Sequence, residues 1–412
     1  MFELRNGSLH AESVPLEEIA RKYGTPCYVY SRAALCAALN RFQTACGSHD
    51  ALVCYAVKAN SNIAILNLFA GMGAGFDVVS GGELARVLAA GGSPGKVIFS
   101  GVGKSAAEMR YALSSGILCF NIESASELAR LATVAGEMGK RAPVSLRVNP
   151  DVDAGTHPYI STGLKENKFG IEFDTAIELY REAARLPQIE VIGIDCHIGS
   201  NLVDYTPLIE ALDKILVQVD RLAAEGIVLR HLDLGGGLGI RYRDETPPDV
   251  AAYMREVFAR VGRRKLKLLF EPGRNLVGNA GLLLTRIEYI KPGAARNFAV
   301  VDAAMNDLIR PALYEAWHEI VPVRNNSGAS AVYDVVGPIC ESADFLGKRR
   351  ELAAREGDLL AIMSAGAYAM CMSSNYNSRP RAAEVMADGD RTHLIRERER
   401  PEALFALEHL LR

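Results

Sequence analysis

Leu52-Val53-Cys54-Tyr55-Ala56-Val57-Lys58-Ala59-Asn60 is a short run of apolar, β-forming residues that ends on polar ones. From here the chain repeats one pattern: a β-rich run, a polar or glycine-rich break, then a longer segment whose apolar residues keep helical spacing. The runs fall at 52–59, 76–80, 96–101, 119–123, 144–149, 191–198, 231–235 and 267–271, which makes eight. Helices are predicted between them, among others at 82–90, 105–114, 124–139, 175–186, 205–225 and 249–263. The helix at 124–139 opens with the capping pattern Ser124-Ala125-Ser126-Glu127. Eight strands alternating with helices favour a (β/α)8 TIM-like barrel over a doubly wound sheet. Placed at residues 31–280, the barrel spans 250 positions, against roughly 250 for that fold.

After residue 280 the texture changes to β-rich stretches broken by turns, at 282–290, 297–302, 331–336 and 358–363, with Asn325-Asn326-Ser327-Gly328 as a loop among them. The fold class is therefore α/β: a barrel at 31–280 followed by a C-terminal β-domain at 281–412. Residues 1–30 are assigned to the second domain, with Cys27-Tyr28-Val29-Tyr30 supplying a strand. A chain of 412 residues exceeds the usual size of one domain. Its 46 basic and 49 acidic residues leave a formal charge of -3, which draws it to neither nucleic acid nor an anionic membrane. The N-terminus lacks a basic region followed by an apolar one, and no run is apolar for long enough to span a bilayer, so a cytoplasmic protein is expected. The eight cysteines are scattered without a C-x-x-C pair or histidines at zinc spacing. No metal site is expected, and most of the cysteines read as small buried hydrophobes in a reducing compartment.

In such a barrel the chemistry gathers at the C-terminal ends of the strands. Lys58 ends the first run, where a lysine points toward the barrel mouth and could form a Schiff base once deprotonated. Alone it reads as an ordinary surface lysine. His197, in Asp195-Cys196-His197-Ile198-Gly199-Ser200, could lay its ring against a flat cofactor, although a lone histidine is more often structural. Leu234-Gly235-Gly236-Gly237-Leu238-Gly239 offers bare backbone N–H groups to a phosphate. The dinucleotide fingerprint needs a glycine at 240, which is Ile240, so a nicotinamide cofactor is disfavoured. Glu271-Pro272-Gly273-Arg274 closes the eighth run. Its carboxylate could pair with a protonated pyridine nitrogen, Gly273 could approach a phosphate and Arg274 could fork a carboxylate. The bland alternative is a proline turn that starts a helix beside an exposed ion pair.

Lysine on run one, histidine on six, glycines on seven and Glu-Pro-Gly-Arg on eight are independent features, and their joint order resembles the fold-type III, alanine racemase-like pyridoxal-phosphate decarboxylases. The resemblance covers essentially the whole chain. It continues in Asp302-Ala303-Ala304-Met305-Asn306-Asp307-Leu308-Ile309-Arg310-Pro311-Ala312-Leu313-Tyr314, in Gly337-Pro338-Ile339-Cys340-Glu341-Ser342 and in Gly366-Ala367-Tyr368-Ala369-Met370. With His157-Pro158-Tyr159-Ile160-Ser161-Thr162-Gly163, these segments look most like the diaminopimelate decarboxylases. Gly155 departs from that pattern, where lysine is common in relatives, and bears only on local loop behaviour.

The resemblance implies pyridoxal 5'-phosphate linked to Lys58, stacked on by His197 and surrounded at its phosphate by Gly236, Gly237, Gly273, Arg274, Ser200 and Tyr368. Glu271 would keep the pyridine nitrogen charged. Cys340 would donate the proton that replaces CO2; its plainer reading is a core cysteine. Arg274, Arg310, Tyr314 and Tyr368 would bind the substrate, with Arg274, Arg310 and Tyr314 on the distal carboxylate of meso-diaminopimelate and Glu341 on its distal ammonium. In this family the Cys-Glu-Ser segment reaches the site across a dimer interface, which implies a homodimer. Decarboxylases of ornithine, arginine or carboxynorspermidine are the nearest alternatives and would not need a second carboxylate clamp. A racemase sets arginine against the ring nitrogen, where this chain has Glu271. A noncatalytic homologue would not require intact Lys58, Glu271 and Cys340.

Overall fold

A computed structural model describes residues 1–153, 168–325 and 328–411. The 157–163 motif, Gly155, Asn326 and Ser327 lie outside the described residues. The chain divides into two compact units, one comprising Ala38–Ile240 and Thr246–Asn275, the other Met1–Ala37, Arg241–Glu245 and Leu276–Arg412.

In the first unit eight parallel strands close on themselves: β1 Ala51–Ala56, β2 Gly75–Val78, β3 Val97–Phe99, β4 Cys119–Ile122, β5 Ala142–Asn149, β6 Ile189–Asp195, β7 His231–Asp233 and β8 Lys267–Phe270. Each pairs with the next, and β8 returns to β1 through Leu269↔Leu52. Among the described residues, seven helices follow the first seven strands, from Ile63–Gly71 to Val250–Val261. Their starts are written locally. Asn62, Ser80, Ser105, Ser124 and Asp249 each accept a first-turn N–H with a side-chain oxygen, satisfying donors that a helix start leaves open. Ser105 and Glu108 form the full reciprocal capping box. At Ser124 the cap is one-sided, because the Glu127 carboxylate turns to Lys104 Nζ at 2.6 Å and Glu123 N–H at 3.0 Å.

Strands buried on both faces are normally apolar throughout. These carry buried polar residues within apolar surroundings: Asp77 on β2, Asn121 on β4, Ser145 and Arg147 on β5, Asp195 on β6, His231 and Asp233 on β7. The barrel core is thus polar in part.

The second unit is a mixed sheet built on the 11-residue strand Gly281–Lys291, which pairs with Asn297–Val301, Leu359–Ile362 and Cys27–Ser31. The sheet continues through Ala331–Val336 and Phe345–Leu352 on one side, and Ala383–Asp388 and Arg391–Arg396 on the other. One face packs Val29, Leu282, Leu284, Ala361 and Val385 against the N-terminal hairpin and the helix Leu16–Tyr23, through Leu9, Leu16 and Ile19. Five cysteines are buried, Cys36 is half-buried, and Cys340 and Cys371 are exposed. Among the described residues no helix is long and apolar enough to cross a membrane.

Candidate active site

Among the described residues, the C-terminal ends of the barrel strands carry the barrel's candidate site residues. Lys58 lies in a 3-10 turn, Val57–Ala59, directly after β1. Its Nζ donates to Asp77 Oδ2 at 2.6 Å; the lysine side chain keeps 36% of its exposure while that of Asp77 has none. His197 follows β6 by two residues, and its Nδ1 accepts the Gly236 N–H at 3.2 Å. That bond leaves the ring proton on Nε2. Burial first, then the charges of Arg147 and Lys58, hold the imidazole well below the usual histidine range, so it is neutral near pH 7.

The glycine loop after β7 is shaped by close approach. A Cβ on Gly236 would lie 2.3 Å from the Glu271 carbonyl oxygen, and Gly237 has φ +128°, outside the range of L side chains. Glu271 N–H donates to Gly235 O at 2.7 Å and Ala56 N–H to Pro272 O at 3.2 Å, extending the ladder past the formal strand ends. Leu202 N–H donates to Gly237 O at 2.9 Å, bracing the loop against the segment after β6. Arg274, buried at the start of a short helix, reaches Ser200 Oγ at 3.2 Å. Lys58, His197, Ser200, Gly236, Gly237, Glu271, Gly273 and Arg274 therefore share one barrel end.

Beneath them lies a group of carboxyls that the sequence reading did not single out. Oxygen atoms of Asp195, Asp233 and Glu271 lie within 4.8 Å of one another, all three side chains buried. Asp233 Oδ1 accepts the Gly235 N–H at 2.9 Å. Burial and then its acidic neighbours push Glu271 well up; burial raises Asp233 to about 6. Arg147 is the local counter-charge, 3.3 Å from Glu123 and 4.0 Å from Asp195. The set could take a cation or protons. A charged residue inside an apolar β run, as in Phe76-Asp77-Val78 or Leu232-Asp233-Leu234, was the available signal.

The remaining candidates belong to the second unit. Arg310 is buried on the helix Arg310–Tyr314, donates to His318 Nε2 at 2.9 Å and lies 4.7 Å from the centre of the Tyr242 ring. Tyr314, half-buried, is four residues on and so on the same helix face. Tyr368 holds φ +52°, a left-handed backbone that a bulky residue adopts only when its surroundings impose it. Cys340 and Glu341 are exposed, and Cys340 N–H bonds Asn377 Oδ1 at 3.1 Å. Their loop is pinned by Asp344, also missed in the sequence, which accepts the Met305 and Ile339 N–H groups at 2.7 Å each.

The barrel end suits a cofactor with a basic ring nitrogen and a phosphate. Glu271 Oε1 is fully buried with no hydrogen-bond partner, a cost that a ligand N–H would remove. A nucleophilic amine, a neutral ring and a glycine loop complete the set. Residues 32–278 match the family model described as "Pyridoxal-dependent decarboxylase, pyridoxal binding domain". The chain is 58% identical over 407 residues to the diaminopimelate decarboxylase of Vibrio cholerae, covering 98% of each, and 60% identical over 410 residues to that of Pseudomonas aeruginosa, covering 100% of this chain and 99% of the relative. The crystal structure of diaminopimelate decarboxylase from Helicobacter pylori complexed with L-lysine superposes with a TM-score of 0.93 at 42% identity, over 95% of this chain and 99% of that one. With a lysine, a buried unpartnered carboxylate and a glycine loop at one barrel end, and with likeness of this depth across both units, the chain belongs to the diaminopimelate decarboxylases, a family of pyridoxal-dependent decarboxylases.

Proposed function

We propose that this chain converts meso-2,6-diaminopimelate to L-lysine and CO2, the last step of lysine biosynthesis, as a cytoplasmic homodimer using pyridoxal 5'-phosphate. The observation that carries the reading is the ion-paired Lys58 beside a buried Glu271 with an unpartnered oxygen, in a chain matching diaminopimelate decarboxylases over its whole length. When bound, the cofactor supplies an electron-withdrawing ring that takes up the electron pair left by departing CO2.

The chain's own groups do the rest. Lys58 Nζ would hold the cofactor, and Asp77 Oδ2, which accepts from that amine, would steady it. Glu271 Oε1 would accept from a protonated ring nitrogen and hold the proton there. His197 covers one ring face without adding charge, which preserves the pull of that proton. Ser200, Arg274 and the backbone of Gly236, Gly237 and Gly273 hold the phosphate, with Tyr368. Arg274, Arg310 and Tyr314 grip the distal carboxylate, with Tyr368 also on the substrate, and Glu341 takes the distal ammonium. A buried clamp of this kind rejects diamines that would leave it unpaired. Cys340 Sγ delivers the proton that replaces CO2, from the neighbouring subunit; its exposure on the single chain favours this over the core reading.

Purified protein with pyridoxal phosphate is offered meso-diaminopimelate, ornithine, arginine and lysine in parallel, and CO2 and amine products are followed. Lysine formation from diaminopimelate alone is expected. A preference for any other substrate overturns the assignment.

A further inference from the structure

His318 is fully buried in the second unit, and two bonds decide its protonation state. Its Nδ1 lies 2.8 Å from the Met363 carbonyl oxygen, which can only accept, so Nδ1 carries the proton. Its Nε2 lies 2.9 Å from Arg310 Nη1, which can only donate, so Nε2 presents its lone pair. The ring is thus a neutral imidazole of one tautomer whose acceptor faces a guanidinium. Its frame is rigid. Arg350 Nη2 donates to the His318 carbonyl at 2.9 Å, and the Tyr242 ring meets the imidazole edge-on at 5.4 Å while its face lies under the Arg310 guanidinium. One aromatic face and one nitrogen lone pair therefore set both the plane of the Arg310 fork and its rotation within that plane. A two-bond grip on a carboxylate depends on both.

We propose that His318 is a positioning residue for the substrate's distal carboxylate: acting through Arg310, its Nε2 lone pair, locked in place by the Met363 carbonyl, aims the guanidinium at that group. The inference rests on the reading of Arg310 as the distal clamp. It places part of the enzyme's preference for a carboxylate-bearing substrate in a residue that touches no substrate.

The test separates acceptor from donor. His318→Asn keeps an amide N–H near the Nδ1 position and lacks the acceptor, whereas His318→Gln carries its amide oxygen to where Nε2 stood. Binding of L-lysine, which retains the distal carboxylate, and of 1,5-diaminopentane, which lacks it, is measured calorimetrically on cofactor-loaded protein, with KM and kcat for meso-diaminopimelate alongside. For His318→Asn, lysine affinity is expected to fall and KM to rise by on the order of tenfold or more, as for a lost hydrogen bond to a charged group, with kcat changed by about twofold at most. Diamine affinity should hold, and His318→Gln should recover most of the loss. General structural damage would weaken both ligands alike and overturn the proposal, as would a folded His318→Gln protein that has lost its preference for lysine over the diamine. Arg310→Met is the control. If it reduces lysine binding and His318→Asn does not, only the positioning role falls; if it leaves lysine binding intact, the clamp reading falls and takes the inference with it.

Discussion

Asp233 and Glu271 are buried together inside the barrel with oxygens within 4.8 Å of each other, and crowded buried carboxyls favour the protonated form. Burial lifts Asp233 from 3.8 to about 6. Between those values the folded chain holds a proton that the unfolded chain has released, so this group's contribution to stability falls as pH rises through the window. Above it, a buried charge remains. Asp233→Asn keeps the oxygen that accepts from Gly235 and removes the titration. Its melting temperature should exceed that of the parent by on the order of 2–5 °C at pH 8, with a smaller gain at pH 5. Thermal unfolding at both values checks this, and an equal gain at the two would mean that Asp233 does not titrate there. The same residues show what was legible locally. Lys58, His197 and Glu271 stand in short motifs whose order along the chain carried their meaning. Asp77, Arg147, Asp195 and Asp233 lie on strands far apart in sequence, and their grouping exists only once the barrel closes.

The loop Gly235–237 shows how an element holds a site through backbone proximity. Ladder bonds run from Glu271 N–H to Gly235 O and from Cys196 N–H to Asp233 O at 3.1 Å, so β6, β7 and β8 enter the mouth as one sheet. Gly236→Ala would set a methyl 2.3 Å from the Glu271 carbonyl oxygen, and the end of β8 must give way. The expected cost is about 1–3 kcal/mol of stability, the usual range for overpacking. Because Glu271 moves with that strand end, cofactor affinity should fall by on the order of tenfold. Unfolding curves and absorbance titration with pyridoxal phosphate test this, and parent-like cofactor binding would show that Glu271 placement tolerates the shift. All eight barrel strands were readable because strands buried on both faces leave short, mostly apolar β-forming runs, even where a buried polar residue interrupts them. Phe345–Leu352 was not, since Lys348-Arg349-Arg350-Glu351 breaks its alternation, and neither was Arg391–Arg396, a charged strand at the edge of its sheet.

At the scale of the molecule, the expected site residues fall into two units, with Lys58 and Glu271 in the barrel and Cys340 and Glu341 exposed on a loop of the other. The sequence carried both motif sets, and subunit exchange tests whether they meet in one site. If Cys340 and Glu341 serve the Lys58 of a neighbouring subunit, no chain owns a complete site. Lys58→Ala and Cys340→Ala proteins should each be inactive, yet regain activity when mixed under conditions that exchange subunits. In a mixed dimer one site receives both lesions and the other neither. Random exchange makes half of the dimers mixed, each with one intact site, so about a quarter of parental activity is the ceiling, provided that sites act independently as distant, unshared groups do. A site built within one chain could not recover, because every chain would carry a lesion. Differently tagged chains report the exchange itself, and mixed dimers without activity would refute the shared site while leaving the barrel and its lysine in place.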